Sequence, residues 1–245
     1  MINKLFNSVD EALYDLQGGA TIMIGGFLGA GTPFNLVQGM VDKGVKGLTL
    51  ICNSQNNLNP IVKDGSQIKK VIMSAAVSPY SWAANPLKEG IQSGQIDVEL
   101  VPQGTLAERI RAGGAGISAF YTPTGVGTLM EKGKQKATFD GKEYVLEMAL
   151  RADYAFIGAY KADSKGNLIY RKSMRNFNVV MATAARCTVA EVGEIVEPGE
   201  LDPETIATPG IFVDRVVMVP PRRVIDFKER QKKQMGIRPD AFRRA

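Results

Sequence analysis

The chain has 245 residues, 44% of them apolar, a formal charge of +5, two cysteines and no histidine. Such a length and composition bury a sizeable core and exclude a disordered chain. Without an imidazole, Ser-His-Asp and Cys-His nucleophile chemistry and nearly all catalytic zinc sites are excluded within this chain.

Cys52 and Cys187 lie too far apart in sequence for a metal-ligand spacing or a disulfide framework and read as small buried hydrophobes. No apolar run approaches the roughly 18 residues of a membrane-spanning helix, and Met1-Ile2-Asn3-Lys4 does not open a signal peptide, so a cytoplasmic protein is expected. The positive charge is local. Residues 222–245 carry a net +6, which leaves the preceding 221 at −1. A neutral body with a basic tail lacks the aromatic-interleaved basic face of a nucleic-acid binder. The expected organisation is therefore one α/β domain over residues 1–221 and a basic tail over 222–245.

In chain order, Ser8-Val9-Asp10-Glu11 is a capping-box pattern that opens a helix with Leu13 and Leu16 on one face, stopped by Gly18-Gly19. The short apolar run 21–24 predicts a strand. It delivers the chain into a loop rich in glycine, residues 25–31, and Pro33 suits the first turn of a helix carrying Leu36, Val37 and Met40. Strands are predicted at 48–52, 71–74 and 98–101, separated by helical or turn segments around 60–64 and 86–93. This alternation predicts a parallel sheet.

Gln103-Gly104-Thr105 then reads as a turn, followed by a helix through Leu106 and Ile110 and a glycine-rich loop with Gly113, Gly114 and Gly116. Asp140-Gly141 is the strongest hairpin cue in the chain. Further strands are predicted at 154–160, 168–171, 188–192 and 212–219, with a helix around 179–186. The fold class is thus α/β: an open, mostly parallel sheet with flanking helices and an inserted β-hairpin.

Ligands of open α/β sheets bind outside the carboxyl ends of the strands, where Asn53 and Gln103 stand, although a lone amide there is usually a turn former. The 25–31 loop lacks the G-x-G-x-x-G spacing, and the match at Gly114-Ala115-Gly116-Ile117-Ser118-Ala119 follows a helix instead of a strand, so NAD binding is disfavoured. Gln135 and Glu143 follow the two Gly-Lys pairs where a P-loop needs Ser or Thr. No metal site is expected.

The runs Pro102-Gln103-Gly104-Thr105-Leu106-Ala107-Glu108-Arg109, Ala112-Gly113-Gly114-Ala115-Gly116 and Phe120-Tyr121-Thr122-Pro123-Thr124-Gly125 occur in this order in one known family. So do Gly25-Gly26-Phe27 with Gly29, Gly31 and Pro33, and the segments around 153–177 and 208–213. Across residues 18 to 217 the sequence resembles the class I (3-oxoacid type) CoA-transferases, specifically their A subunit.

The resemblance implies transfer of CoA from an acyl-CoA donor to a free carboxylic acid such as a 3-oxoacid, succinate or acetate. It needs no imidazole, because one carboxylate replaces another with no net proton transfer. It implies that Asn53 and Gln103 donate to an oxyanion or carboxylate, and that Gly25, Gly26, Phe27, Gly29, Gly31, Gly113, Gly114, Gly116, Thr124 and Gly125 line the acyl-CoA cleft. Phe27 taken alone reads as a core anchor.

The family's nucleophilic glutamate sits in a Ser-Glu-Asn-Gly string that this chain lacks. Glu143 and Glu147 are expected to be solvated or paired instead. The nucleophile is then implied to arrive on a partner chain, the B subunit, in an A2B2 hetero-oligomer without membrane or nucleic acid. Arg171, Lys172 and Arg175 read as a solvated or interface cluster. Phe34, where many relatives carry an acid, and Trp82 would suit a bulkier acceptor if they lie near the cleft. An acyl-CoA hydrolase and a non-enzymatic CoA-binding protein are the competing readings.

Overall fold

The computed structural model describes residues 3–58, 65–75 and 86–219. The expected segment at 60–64, Trp82 and the basic tail lie outside them.

The elements in chain order are β1 (Leu5–Phe6), α1 (Val9–Ala12), β2 (Thr21–Ile24), α2 (Phe34–Asp42), β3 (Leu48–Ser54), β4 (Ile68–Ala75), α3 (Pro86–Gln92), β5 (Asp97–Leu100) and α4 (Gln103–Gly114). They continue with β6 (Ala119–Thr122), β7 (Lys136–Phe139), β8 (Lys142–Met148), β9 (Ala152–Asp163), β10 (Leu168–Ile169), α5 (Asn176–Ala182), β11 (Ala185–Val196) and β12 (Arg215–Met218).

The main sheet runs β1-β12-β11-β9-β2-β3-β4-β5, all parallel, with β10 antiparallel on β9. From β2 the chain winds outward through β3, β4 and β5; from β9 it winds the opposite way through β11 and β12. The winding therefore reverses between β2 and β9, which makes their carboxyl ends the switch point where open sheets hold ligands.

Strand alternation divides the core in two. Ile22, Ile24, Leu48, Leu50, Cys52, Val71 and Met73 face a layer with Leu13, Leu36, Val37, Met40 and Leu87. Met23, Ile51, Ile72, Ala155, Ile157 and Ala190 face Leu106, Ile110, Phe177 and Met181 of α4 and α5. Helices thus cover both faces, which is why the central strands are apolar on both sides.

Several boundaries differ from the sequence reading. Gln103 opens α4 directly after Pro102, so the expected turn is the helix's first turn and Gly113 and Gly114 are its last helical residues. The helix expected at 179–186 is α5, shifted toward the N-terminus, because Ala185 and Arg186 already belong to β11. Residues Gly210–Phe212 form a 3-10 turn ahead of β12. α1 is a single turn. Ser8 accepts from Glu11 N at 3.1 Å, but the Glu11 carboxylate reaches Asn7 N at 2.9 Å, one residue beyond a regular capping box.

The Asp140-Gly141 hairpin forms with both φ positive, 50° and 73°, as a type I′ turn demands. β6 extends it into a three-stranded antiparallel sheet, order β6-β8-β7.

One ion pair that the sequence reading did not mark ties the last strand to the first helix. Arg215 on β12 forks onto Asp15 at 2.7 and 2.6 Å and donates to Ala12 O at 2.8 Å, with its guanidinium 4.6 Å from the Tyr14 ring centroid. The Arg215 hydrogen bond holds the Asp15 carboxyl below its ordinary range, against a smaller opposing effect of burial. A depressed folded-state pKa contributes stability above the unfolded value near 3.9 and loses it as pH falls through the folded value. Asp15→Asn is expected to lose about 1–2 kcal/mol at pH 7, discounted because a third of the Asp15 side chain meets solvent. In denaturant titrations the gap from wild type should close below about pH 4; a gap constant from pH 7 to pH 3 contradicts the assignment.

Candidate active site

At the carboxyl end of β2 the chain enters residues 25–31. Leu28 and Gly29 both have positive φ, 47° and 85°, and reciprocal bonds of 3.0 and 2.9 Å join Phe27 to Ala30. This tight turn lifts Phe27 and Leu28 off the sheet; they are 36% and 56% exposed. Phe27 is therefore no core anchor: the turn that reverses the chain forces it outward.

Beneath the tip the packing is dense. Asn178 of α5 accepts from Gly158 N at 3.1 Å and donates to Gly31 O at 3.0 Å and Met174 O at 2.7 Å. A Cβ on Gly25 would stand 1.8 Å from Asn178 Oδ1, and one on Gly158 2.5 Å from Gly31 O. Asn176 adds a bond to Ala30 O at 2.9 Å, and fully buried Asn57 donates to Gly25 O at 3.0 Å and Gly26 O at 3.1 Å. Three amide side chains thus hold the loop. Sequence reading missed Asn57 and Asn178 as parts of the site. For Asn178 the available signal was a polar residue among Phe177, Val179, Val180 and Met181 inside a short helix, where its side chain must find a backbone partner.

Further along the same edge, Asn53 lies buried near the end of β3, and Gln103 stands exposed at the start of α4. Gln103 Nε2 donates to Asn53 Oδ1 at 2.7 Å. Ser74 of β4 donates to Asn53 O at 2.6 Å and reaches Asn53 Oδ1 at 2.9 Å. The two amides that the sequence placed at one edge therefore touch, across the end of the strand between them.

α4, which carries Gln103, is pinned two turns later. Arg109 binds Glu99 at 2.6 Å and Met148 O at 2.7 Å, while Glu147 beside it is buried against Lys134 at 2.5 Å. Burial opposes ionisation of Glu99, but Lys70 and Arg109 outweigh it and hold its carboxyl below the ordinary range. Both thiols are driven away from ionisation by burial, Cys52 to about 12 and Cys187 to about 11, which leaves neither as a nucleophile at neutral pH.

The remaining candidates separate from this pair. Gly113 and Gly114 lie ten or more residues along α4 from Gln103, about 15 Å at helical rise. Both are explained by packing, since a Cβ would stand 1.9 Å from Leu150 O and 2.1 Å from Thr183 Oγ1 respectively. Gly116 has φ 77°, and Ile117 N bonds Ala112 O at 2.9 Å, a Schellman stop. Thr124 and Gly125 sit in the turn after β6, where Thr124 N bonds Thr122 Oγ1 at 3.2 Å; among the described residues no hydrogen bond links them to Asn53 or Gln103. Phe34 is 8% exposed and packs in the core. Among the described residues no group of three or more His, Cys, Asp or Glu could hold a metal ion, and no helix is long and apolar enough to cross a membrane.

The sequence matches the coenzyme A transferase family model over residues 6–218. The chain belongs to the coenzyme A transferase family. It is 48% identical over 223 residues to the A subunit of 3-oxoadipate CoA-transferase from Acinetobacter baylyi, covering 89% of this chain and 96% of that one. It is 46% identical over 218 residues to the A subunit of succinyl-CoA:3-ketoacid coenzyme A transferase from Helicobacter pylori, covering 88% and 92%. Among solved structures, an acyl-CoA transferase of Escherichia coli superposes with TM-score 0.77 at 22% identity over 89% of this chain, which spans 50% of that longer one. At that identity the likeness is one of fold. The family match covers every element described above except the first residue of β1, Leu5.

Proposed function

We propose that this CoA-transferase chain is the A subunit of a two-component, cytoplasmic enzyme that moves CoA from an acyl-CoA to a free carboxylate such as a 3-oxoacid, succinate or acetate. Acyl-CoA is its substrate, and the B subunit is its partner in an A2B2 assembly. Asn53 and Gln103 are the groups of this chain that meet the reacting oxygens. The observation that carries the reading is their 2.7 Å contact at the carboxyl edge of the sheet. With Asn53 Oδ1 taken by Gln103 and Ser74, the Asn53 amide nitrogen and the second Gln103 N–H remain as donors. Amide donors with no basic side chain hydrogen-bonded to them among the described residues suit the stabilisation of oxygen charge, not proton abstraction.

In the reaction so assigned, a glutamate carboxylate of the partner attacks the thioester carbonyl. The tetrahedral oxyanion collapses by expelling the CoA thiolate, leaving an acyl-glutamyl anhydride. The thiolate then attacks the glutamyl carbonyl and releases the donor acid, leaving a glutamyl-CoA thioester. Repeating these steps in reverse with the acceptor carboxylate regenerates the glutamate. Each addition places negative charge on a carbonyl oxygen, where the two amides donate, and no proton is gained or lost overall. The glycine-rich loop 25–31 walls the neighbouring switch point, with Phe27 and Leu28 as its exposed apolar tip.

The test is CoA transfer by the copurified complex. Acyl-CoA should be consumed only when an acceptor carboxylate is present, with the new acyl-CoA formed in equal amount. Steady release of free CoA without acceptor would instead identify a hydrolase.

A further inference from the structure

We propose that Ser74 is a positioning residue for the Asn53-Gln103 pair, an inference that rests on the site reading above. Its hydroxyl proton can serve one acceptor fully, and two atoms of the same residue compete for it: Asn53 O at 2.6 Å and Asn53 Oδ1 at 2.9 Å. Ser74 thereby braces Asn53 at both its backbone and its side chain, from the strand that separates Asn53 from Gln103.

The parallel register brings this about. β3 and β4 pair with Cys52 opposite Met73 and Ser54 opposite Ala75, so Asn53 and Ser74 occupy the intervening level of adjacent strands. Val101 N then bonds Met73 O at 3.0 Å, bringing the β5 exit and Gln103 alongside. An asparagine side chain can present either its oxygen or its nitrogen to a cleft, because its amide rotates by half a turn at little steric cost. The Gln103 donor and the shared Ser74 hydroxyl proton fix the side of the amide on which Oδ1 lies and leave the Asn53 nitrogen on the other side as a donor. An oxyanion requires that orientation, and the opposite one would repel it.

Loss of Ser74 leaves Gln103 as the single brace on the Asn53 side-chain oxygen. The predicted consequence is a lower fraction of enzyme with the amide in the productive orientation, which reduces turnover without removing a substrate contact. One neutral hydrogen bond sets the scale at about tenfold.

The experiment compares Ser74→Ala, Ser74→Thr and Asn53→Ala, singly and with Asn53→Ala combined with Ser74→Ala, in the complex with the partner chain. Ser74→Ala should lower kcat about tenfold with KM changed less than twofold and thermal stability unchanged. Ser74→Thr, which keeps the hydroxyl, should recover most of the loss. In the Asn53→Ala background, Ser74→Ala should add nothing.

Additive losses would show that Ser74 does not act through Asn53 and would overturn the inference. So would full activity of Ser74→Ala while Asn53→Ala is impaired. If Asn53→Ala itself turns over normally, the site reading fails first and the role of Ser74 falls with it.

Discussion

Gln103→Ala is expected to lower kcat of the complex by about a hundredfold or more, with the complex still assembled. Gln103 is exposed at the first residue of α4, so its truncation opens no core cavity. Its backbone stays in the first helical turn, held by Leu106 N bonding Pro102 O at 2.8 Å and by the Arg109 anchors further along. What disappears is the donor proposed for the reacting oxygen and a brace on Asn53. Removal of one such donor costs about 3 kcal/mol of transition-state stabilisation in acyl-transfer sites generally. The loss should appear in kcat and kcat/KM together, because the interaction strengthens as charge develops on the oxygen. A variant whose kcat stays within twofold of wild type, measured on an intact complex, removes Gln103 from the site.

Gly113→Ala is the substitution expected to cost the most stability, about 3 kcal/mol or more, although glycine to alanine in a helix ordinarily stabilises. The added Cβ would stand 1.9 Å from Leu150 O, a backbone atom that cannot step aside as a side chain can. Leu150 N is in turn bonded to Arg109 O at 2.8 Å, so helix and following segment must move together. Cores transmit such strain because they are packed at crystal density. In a chain of this size the loss corresponds to a fall in Tm of roughly 6–12 °C. Gly116→Ala, at the helix stop with φ 77°, should cost only about 1 kcal/mol. The contrast separates a packing role from a ligand role. If Gly113→Ala folds with unchanged Tm but loses acyl-CoA binding, Gly113 belongs to the cleft after all.

Much of the architecture was legible because parallel strands buried on both faces leave short apolar runs that turn residues interrupt. β2 coincides with its predicted span, and the Asp140-Gly141 hairpin forms where two positive φ values demand it. The α4 boundaries were misread for a physical reason. Gly104, Gly113 and Gly114 lower local helix propensity, whereas tertiary contacts at Leu150 and Thr183 favour the helix and require residues without a Cβ at 113 and 114. Glycine clusters near a helix end look alike whether they approach a ligand or a neighbouring backbone, and only the packing tells them apart.

Asn53 and Gln103 were picked out as candidates because they follow the predicted strand ends at 52 and 101. Their mutual contact was not, since it depends on the register of β3, β4 and β5 and joins residues 50 positions apart. The same applies to Asn178, whose partners include backbone groups of the glycine loop, β9 and the segment before α5.

The central claim is that this chain supplies amide donors to a shared pocket while its partner supplies the attacking carboxylate. Borohydride reduction of the complex after acyl-CoA treatment, followed by peptide mass analysis of both chains, tests it most directly. The account predicts a reduced glutamate on the partner and no modification of this chain. A reduced carboxyl on Glu143, Glu147 or any other residue of this chain, formed at the rate of turnover, would contradict it.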